Sequence, residues 1–345
     1  MTHPDGQGNF LSQLDLYREL SINKLLEYLP EKEPKKYLYD LVKIYPQRAG
    51  KGFRPSLCIS TCKIFGGTEE EAYNSSIALE LFHNAFLVHD DIEDESIDRR
   101  GFPTMHSEFG VPIAINVGDA MNVLSIRPLM QNLTSLGPKL TWQIFSEVDH
   151  MVMEAVEGQA MELGWRRDNA SELTDDDYLR MILKKTCWYT IIHPIRIGAI
   201  IGSGGTIDPD RFNRFGYYMG ASFQIQDDLL NLLGDKKYGK EICGDIMEGK
   251  RTLMLIHLLN SCHGTEKEKL IIYLGKNRTA RTLPEMRWVM KLMNKYGCIE
   301  YGKNSAKNLA GAALKEFYTV FGDKQDTKDR QFLENMVLYM VNRDY

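Results

Sequence analysis

An all-α helical bundle is the fold that this sequence of 345 residues predicts. Three observations predict it. Apolar residues recur at three- and four-residue spacing along most of the chain, and no set of segments alternates convincingly as strands. Two acidic clusters, Asp90-Asp91-Ile92-Glu93-Asp94 inside HNAFLVHDDIEDES and Asp227-Asp228 inside FQIQDDLLN, interrupt apolar runs. Carboxylates among inward-facing helical residues suggest a site built between facing helices.

The elements follow in order. Residues 10–29 form an amphipathic segment with Leu11, Leu14, Leu16, Tyr17, Leu20, Leu25 and Leu26. A polar stretch from Pro30 to Lys36 separates it from a helix over 37–45. Segment 53–65 ends at Gly66-Gly67, and a long helix over 69–97 carries the first acidic cluster up to the Gly101-Phe102-Pro103 turn. Another helix runs from Pro112 to Leu136, where Gly137-Pro138 stops it, and 139–164 follows. Thr174 is an N-cap, with Asp175, Asp176 and Asp177 at the positive end of the dipole. That helix passes Lys184, Lys185 and Thr186 towards Gly202, with a kink expected at Pro194. Asp208-Pro209 opens the next, which reaches the second acidic cluster. Gly234 to Thr252, with four glycines and five lysines or arginines, reads as a loop across an active-site mouth; helices then continue to the C-terminus. One domain over 1–345 is expected, with 1–36 an N-terminal helix and connection.

Composition narrows the function. Hydrophobic content of 43% and charged content of 26% are ordinary for a globular protein, and a net charge of −5 argues against a general nucleic-acid binder. The six cysteines, at 58, 62, 187, 243, 262 and 298, form no CxxC pair and read as reduced thiols, Cys58 and Cys62 as packing residues on one helix face. No uncharged apolar stretch approaches the ~20 residues of a membrane span, and the N-terminus lacks the pattern of a signal peptide. A soluble cytoplasmic protein is expected.

On a helix Asp90 and Asp94 share a face, with Asp91 beside them. A single DDxxD is usually a solvated face, but here both acidic clusters have apolar flanks, Phe86, Leu87 and Val88 on one and Phe223, Ile225, Leu229 and Leu230 on the other. Two inward clusters suggest a shared hard cation, Mg²⁺, which bridges carboxylates to substrate phosphates. Cations to grip those phosphates occur in groups: Lys51 and Arg54 in GKGFRP, Arg99-Arg100-Gly101, Lys184-Lys185 before Thr186, and Lys240, Lys250 and Arg251 after the second cluster. Jointly with the acids they favour a diphosphate ligand.

From about residue 49 to about 257 the chain resembles the trans-isoprenyl diphosphate synthases, the polyprenyl synthetase family. It carries, in order, GKGFRP, HDDIED, RRGFPTMH, EGQAMELGW, KKT, FQIQDD and GKEICGDIMEGKRT. DDIEDESIDRRGFPTMHSEFGVPIAIN with EGQAMELGWRRD is most similar to the members making the C20 geranylgeranyl product. The resemblance implies an isoprenoid-synthase bundle around a central cavity, homodimeric, acting on isopentenyl diphosphate and a C5 to C15 allylic diphosphate. It implies that Asp90, Asp91, Asp94, Asp227 and Asp228 hold three Mg²⁺ ions on the allylic diphosphate, which Arg99, Lys185, Lys240 and Lys250 also grip. Gly50, Lys51, Arg54, His83 and Arg100 match the isopentenyl diphosphate site. Gln159, Thr186 and Gln224 match polar residues at the reacting centre. The product tail is expected to run below the first motif, with Phe82, Ala85 and Phe86 setting its length; small Ala85 favours C20, and C15 (farnesyl) and C25 are the alternatives.

Two positions depart from the family pattern: Asn231 stands where many members carry Asp, and His83 where farnesyl synthases often carry Gln. A terpene cyclase would need an NDxxSxxxE-like second motif, and alignment at Asn231 puts Asp235 and Gly239 at the later ligand positions. A non-catalytic partner subunit is disfavoured because both acidic motifs and the basic contacts survive.

Overall fold

A computed structural model describes residues 4–48, 50–234 and 242–342. Its long helices are α1 (Pro4–Tyr28), α2 (Phe53–Ile64), α3 (Glu69–Glu93), α4 (Val111–Ser135), α5 (Pro138–Arg167), α6 (Asp175–Ile182), α7 (His193–Gly202), α8 (Asn213–Leu233), α9 (Leu253–Ser261), α10 (Gly264–Leu274), α11 (Leu283–Lys295), α12 (Cys298–Phe321) and α13 (Lys328–Asn342). The sheet content of the described residues is one two-residue ribbon, β1 (Asp98–Arg99) antiparallel to β2 (Phe102–Pro103). The all-α expectation holds. None of the described helices is long and apolar enough to cross a membrane.

Helix α3 is the spine of the molecule. Thr68 and Glu71 start it with a reciprocal capping box, Thr68 Oγ1 accepting from the Glu71 N–H (3.3 Å) and Glu71 Oε2 from the Thr68 N–H (2.8 Å). Its buried face, Leu81, Ala85 and Val88 among others, lies against Ala114, Val117 and Met121 of α4. The Thr174 cap forms as expected, accepting from the Asp177 N–H at 3.2 Å. Asp208 likewise accepts from the Asp210 N–H (3.0 Å), although Pro209–Phe212 is a 3₁₀ turn before α8.

Glycines set how closely the helices approach. A Cβ on Gly198 or Gly202 of α7 would lie 2.3 Å from the Cys58 carbonyl oxygen or 2.1 Å from that of Cys62. The two buried cysteines thus pack α2 against α7.

Four elements differ from expectation; one is that the stretch from Gly234 to Thr252, read as a loop, contains a short helix at Gly244–Glu248. The helix over 37–45 is broken into short pieces, a π-turn at Lys35–Tyr39, a 3₁₀ turn at Leu41–Lys43 and a single α-turn at Ile44–Gln47. Helix α3 stops at Glu93 rather than 97; Glu95 has φ of 52°, which ends α-geometry, and Arg100 (56°) and Gly101 (78°) then make the tight hairpin turn. The stretch from Thr174 to Gly202 does not simply kink at Pro194. It widens into a π-helical segment, Leu183–Ile192, before α7 begins. Pro194 cannot donate to the carbonyl of residue 190, and the widened turns preceding it absorb that loss. Close approach fixes this segment: a Cβ on Gly158 of α5 would sit 2.3 Å from the Lys185 nitrogen, and one on Gly220 of α8 would sit 2.9 Å from Cys187.

Candidate active site

The end of α3 places Asp90, Asp91 and the capping Asp94 in different environments. Asp90 is about one-quarter exposed, 24%, with Arg99 at 3.3 Å, Lys185 at 3.4 Å and Gln159 at 3.5 Å. Asp91 is fully buried: the Tyr45 hydroxyl donates to Oδ2 at 2.6 Å and Arg99 Nε to Oδ1 at 2.8 Å. Asp94 is also buried, with Arg166 on one oxygen (2.5 Å) and Lys250 on the other (2.6 Å). Burial pushes the Asp94 carboxyl up to about 6, with Lys250 opposing the shift.

On α8, Asp228 is buried, accepting from Tyr178 Oη (2.7 Å) and Gln224 Nε2 (2.8 Å). Burial raises its carboxyl to about 7 despite those two bonds, and neighbouring Asp227 adds to the rise. Asp227 itself is partly exposed. Gln224 accepts from the Thr186 hydroxyl at 2.9 Å, which joins α8 to the π segment. Asn231 is engaged in structure: its Oδ1 accepts the Asp245 N–H (3.0 Å) and its backbone carbonyl the Cys243 N–H (2.7 Å).

Between these elements lies a small cavity of about 40 Å³, lined by Asp90, Asp94 and Arg99 on one side and by Asn231, Asp245, Glu248, Lys250 and Arg278 on the other. Glu248 holds Lys250 (3.0 Å) and Arg278 (2.7 Å), and Arg278 also donates to the Asp94 carbonyl (3.2 Å). Lys185 adds a pair with Glu162 at 3.0 Å. Burial alone would lower the Lys185 ammonium, yet Glu162 and Asp90 raise it above its ordinary value, so it stays charged. A larger groove of about 470 Å³ between α8, α12 and α13, edged by Gln226, Lys303 and Lys307, contains none of these acids.

A second basic group sits further back along α3. Arg54 stacks its guanidinium 4.0 Å from the Tyr189 ring and donates to Thr190 Oγ1 at 2.7 Å. Tyr189 Oη is hydrogen-bonded to His83 Nδ1. Arg100 donates to the Tyr45 carbonyl (3.2 Å), and a Cβ on Gly50 would lie 2.5 Å from its Nη2, so only glycine lets that guanidinium lie there undisturbed. Lys51 is exposed beside them. Phe86 lies edge-on to Tyr189 (5.3 Å) and stacks with Phe82 (6.4 Å), forming an apolar wall between the two basic groups.

The structure therefore brings together Asp90, Asp94, Arg99, Gln159, Lys185 and Lys250, and links Thr186 with Gln224 and Asp228. It gathers Arg54, His83 and Arg100 elsewhere along α3. It does not bring Asp91 to the cavity, because successive helical residues diverge by about 100°. Ala85 faces the α3–α4 core and is fully buried, apart from the Phe82–Phe86 stack. Lys240 lies outside the described residues. Sequence reasoning missed Tyr45, Tyr178, Arg166, Glu248 and Arg278. Arg166 had a signal, since it stands seven residues, two helical turns, beyond Gln159.

Known proteins are similar to this chain in sequence and fold. The polyprenyl synthetase family profile matches residues 35–292. A geranylgeranyl diphosphate synthase of Saccharolobus solfataricus is 32% identical over 267 residues, covering 77% of this chain and 79% of that one. A geranylgeranyl pyrophosphate synthase of Geoglobus acetivorans is 31% identical over 323 residues, covering 93% and 95%. The crystal structure of geranylgeranyl pyrophosphate synthetase from Pyrococcus horikoshii superposes with a TM-score of 0.84 at 29% identity, covering 97% and 98%. With its ordered motifs, its fold and this match over most of its length, the chain belongs to the polyprenyl synthetase family.

Proposed function

We propose that this prenyltransferase joins isopentenyl diphosphate head-to-tail to an allylic diphosphate and releases a trans-prenyl diphosphate of twenty carbons. One observation carries the reading. Two cation-lined anion sites occupy one helix, α3, with the Phe82–Phe86–Tyr189 wall between them. The names of the relatives support the C20 product.

The allylic diphosphate belongs at Asp90, with Arg99, Lys185 and Lys250 around it. Mg²⁺ suits this donor set. Its oxygens are the hard carboxylates of Asp90 and Asp94, which suit an ion that keeps waters and shares substrate phosphates. Asp90, Asp94 and Asp227 would hold it, and bound there it would neutralise charge developing on the departing diphosphate. Arg99, Lys185 and Lys250 do the same from fixed positions, so the allylic C–O bond breaks with both electrons leaving on oxygen. Thr186 and Gln224 direct their dipoles at the carbocation that remains. Arg54, His83, Arg100 and Lys51 hold isopentenyl diphosphate so that its double bond attacks that cation, and the released diphosphate takes the departing proton. Phe82, Phe86 and Tyr189 keep water from the cation.

A homodimer is part of the same reading. Val123, Met130, Trp142, Met153 and Val156 form exposed apolar patches on α4 and α5, with Trp142 75% exposed. Sedimentation should give twice the chain mass. The expected location is the cytoplasm.

The test is incubation with labelled isopentenyl diphosphate, Mg²⁺ and C5, C10 or C15 primers, followed by chain-length analysis. C20 product should accumulate, and Asp90→Ala should abolish turnover with an unchanged circular dichroism spectrum. No elongation of any primer would overturn the reading.

A further inference from the structure

We propose that Arg278, from the connection between α10 and α11, is a positioning residue of the allylic diphosphate site: anchored on the end of α3, it fixes Lys250 through Glu248. This rests on the allylic reading of the cavity and deepens it.

Arg278 opens a 3₁₀ turn, Arg278–Ala280, beyond the last of the ordered motifs. Its side chain is 11% exposed, so its charge is little screened by solvent. One atom, Nη1, reaches both walls of the cavity. It lies 2.7 Å from Glu248 Oε1 and donates to the Asp94 carbonyl at 3.2 Å. Asp94 caps the C-terminus of α3, where backbone oxygens lack a helical partner and a cation is favoured. Arg278 therefore joins the end of α3 to the segment bearing Glu248 and Lys250.

Glu248 passes this anchorage on. Its other oxygen, Oε2, lies 3.0 Å from Lys250 Nζ, which also reaches Asp94 Oδ2 at 2.6 Å. Burial alone would raise the Glu248 carboxyl, yet Lys250 and Arg278 bring it below its ordinary value, so it stays charged. A lysine is a point charge on a flexible stem, and its anions set where it stands. Asp94 is read as a metal ligand, which leaves Glu248, and more distantly Asp245 (3.9 Å), to keep Lys250 facing the diphosphate.

Glu248 cannot do this unaided. It ends a five-residue helix, Gly244–Glu248, and so short a helix is not stable on its own. Arg281 secures the main chain there, donating to the Met247 carbonyl (2.6 Å) and the Leu274 carbonyl (2.8 Å). A Cβ on Gly249, whose φ is 72°, would lie 2.5 Å from Arg281 Nη2. One turn of chain thus supplies both holds, Arg281 on the backbone and Arg278 on the carboxylate.

Arg278→Gln, Lys250→Met and the two combined test this, by steady-state kinetics and by calorimetric binding of an allylic thiodiphosphate, whose C–S bond resists ionisation, with Mg²⁺. Arg278→Gln should weaken thiodiphosphate binding and raise the allylic KM about ten-fold, the loss of roughly one charge-assisted contact, with the isopentenyl KM within about two-fold. Because Arg278 acts through Lys250, the double variant should bind within about two-fold of Lys250→Met alone. Arg278→Lys, which keeps the charge but not the planar fork, should weaken binding about three-fold, and it decides the matter if Arg278→Gln does not fold. Unchanged binding in the first variant that folds overturns the inference, as does an equal rise in both KM values or a full addition of losses in the double variant. If Lys250→Met weakens binding and the Arg278 variant does not, the inference alone fails. If Lys250→Met leaves binding unchanged, the allylic reading of Lys250 fails too.

Discussion

Replacing Gly158 with alanine isolates the contact that seats Lys185. A Cβ there would lie 2.3 Å from the Lys185 nitrogen and 2.7 Å from its Cα, where ordinary contact starts at 3.4 Å. Backbone atoms cannot rotate aside, so α5 and the π segment must part by about 1 Å at the point of contact. Such overpacking costs about 1–3 kcal/mol, partly offset by alanine's helical advantage over glycine of up to ~1 kcal/mol. Activity should suffer more than stability. Lys185 would be displaced from Asp90 (3.4 Å) and Glu162 (3.0 Å), and a misplacement of about 1 Å at a reacting centre can cost on the order of 10²-fold. The measurement is kcat/KM for the allylic primer beside the thermal midpoint. Gly164→Ala is the matched control, on the same helix with nothing within 4 Å of its Cβ, and should be neutral or slightly stabilising. A folded Gly158→Ala enzyme retaining activity within about three-fold, or a Gly164→Ala enzyme equally impaired, would refute the reasoning.

Other outcomes follow from buried charge and from the apolar wall. Burial works against ionising Glu147, but Arg196 and His193 hold its carboxyl down to about 2. A lowered folded value means stability present above the unfolded value near 4.5 and lost as pH falls towards 2, worth roughly 3 kcal/mol. Glu147→Gln should therefore lower the thermal midpoint at pH 7 and narrow its gap to the unmodified protein at pH 3; a gap independent of pH contradicts the assignment. Phe86→Ala, which opens the wall at Phe82 and Tyr189, should lengthen the product beyond C20. Ala85→Phe, in the packed α3–α4 core, should instead cost about 1–3 kcal/mol of stability, read by chemical denaturation. If Phe86→Ala leaves the chain-length distribution unchanged, the tail does not run past this wall.

Much of the fold could be read from local signals. The Thr174 cap, the Gly137-Pro138 break and the apolar period of α3 and α8 act within a few residues, so their sequence context determines them. The π segment could not be read that way. Its widening depends on Gly158 and Gly220 letting neighbouring helices close in, a contact between residues distant in sequence. The acidic motifs named the right helices, but sorting Asp90 from Asp91, and Asp227 from Asp228, required their partners. Tyr45 and Tyr178 read as ordinary core aromatics until their hydroxyls are seen on Asp91 and Asp228. Glu248 was hidden for a related reason: its place in GDIMEGKR shows no sign that Arg278, thirty residues on, would face it.

Asn231 takes two N–H bonds from Cys243 and Asp245, so the chain that leaves α8 returns to the helix it left. The two ends of that excursion are thereby clasped to each other. An asparagine that looks like a weakened metal ligand is thus a splint, keeping the helix of Asp227 and Asp228 in register with the segment that bears Glu248 and Lys250.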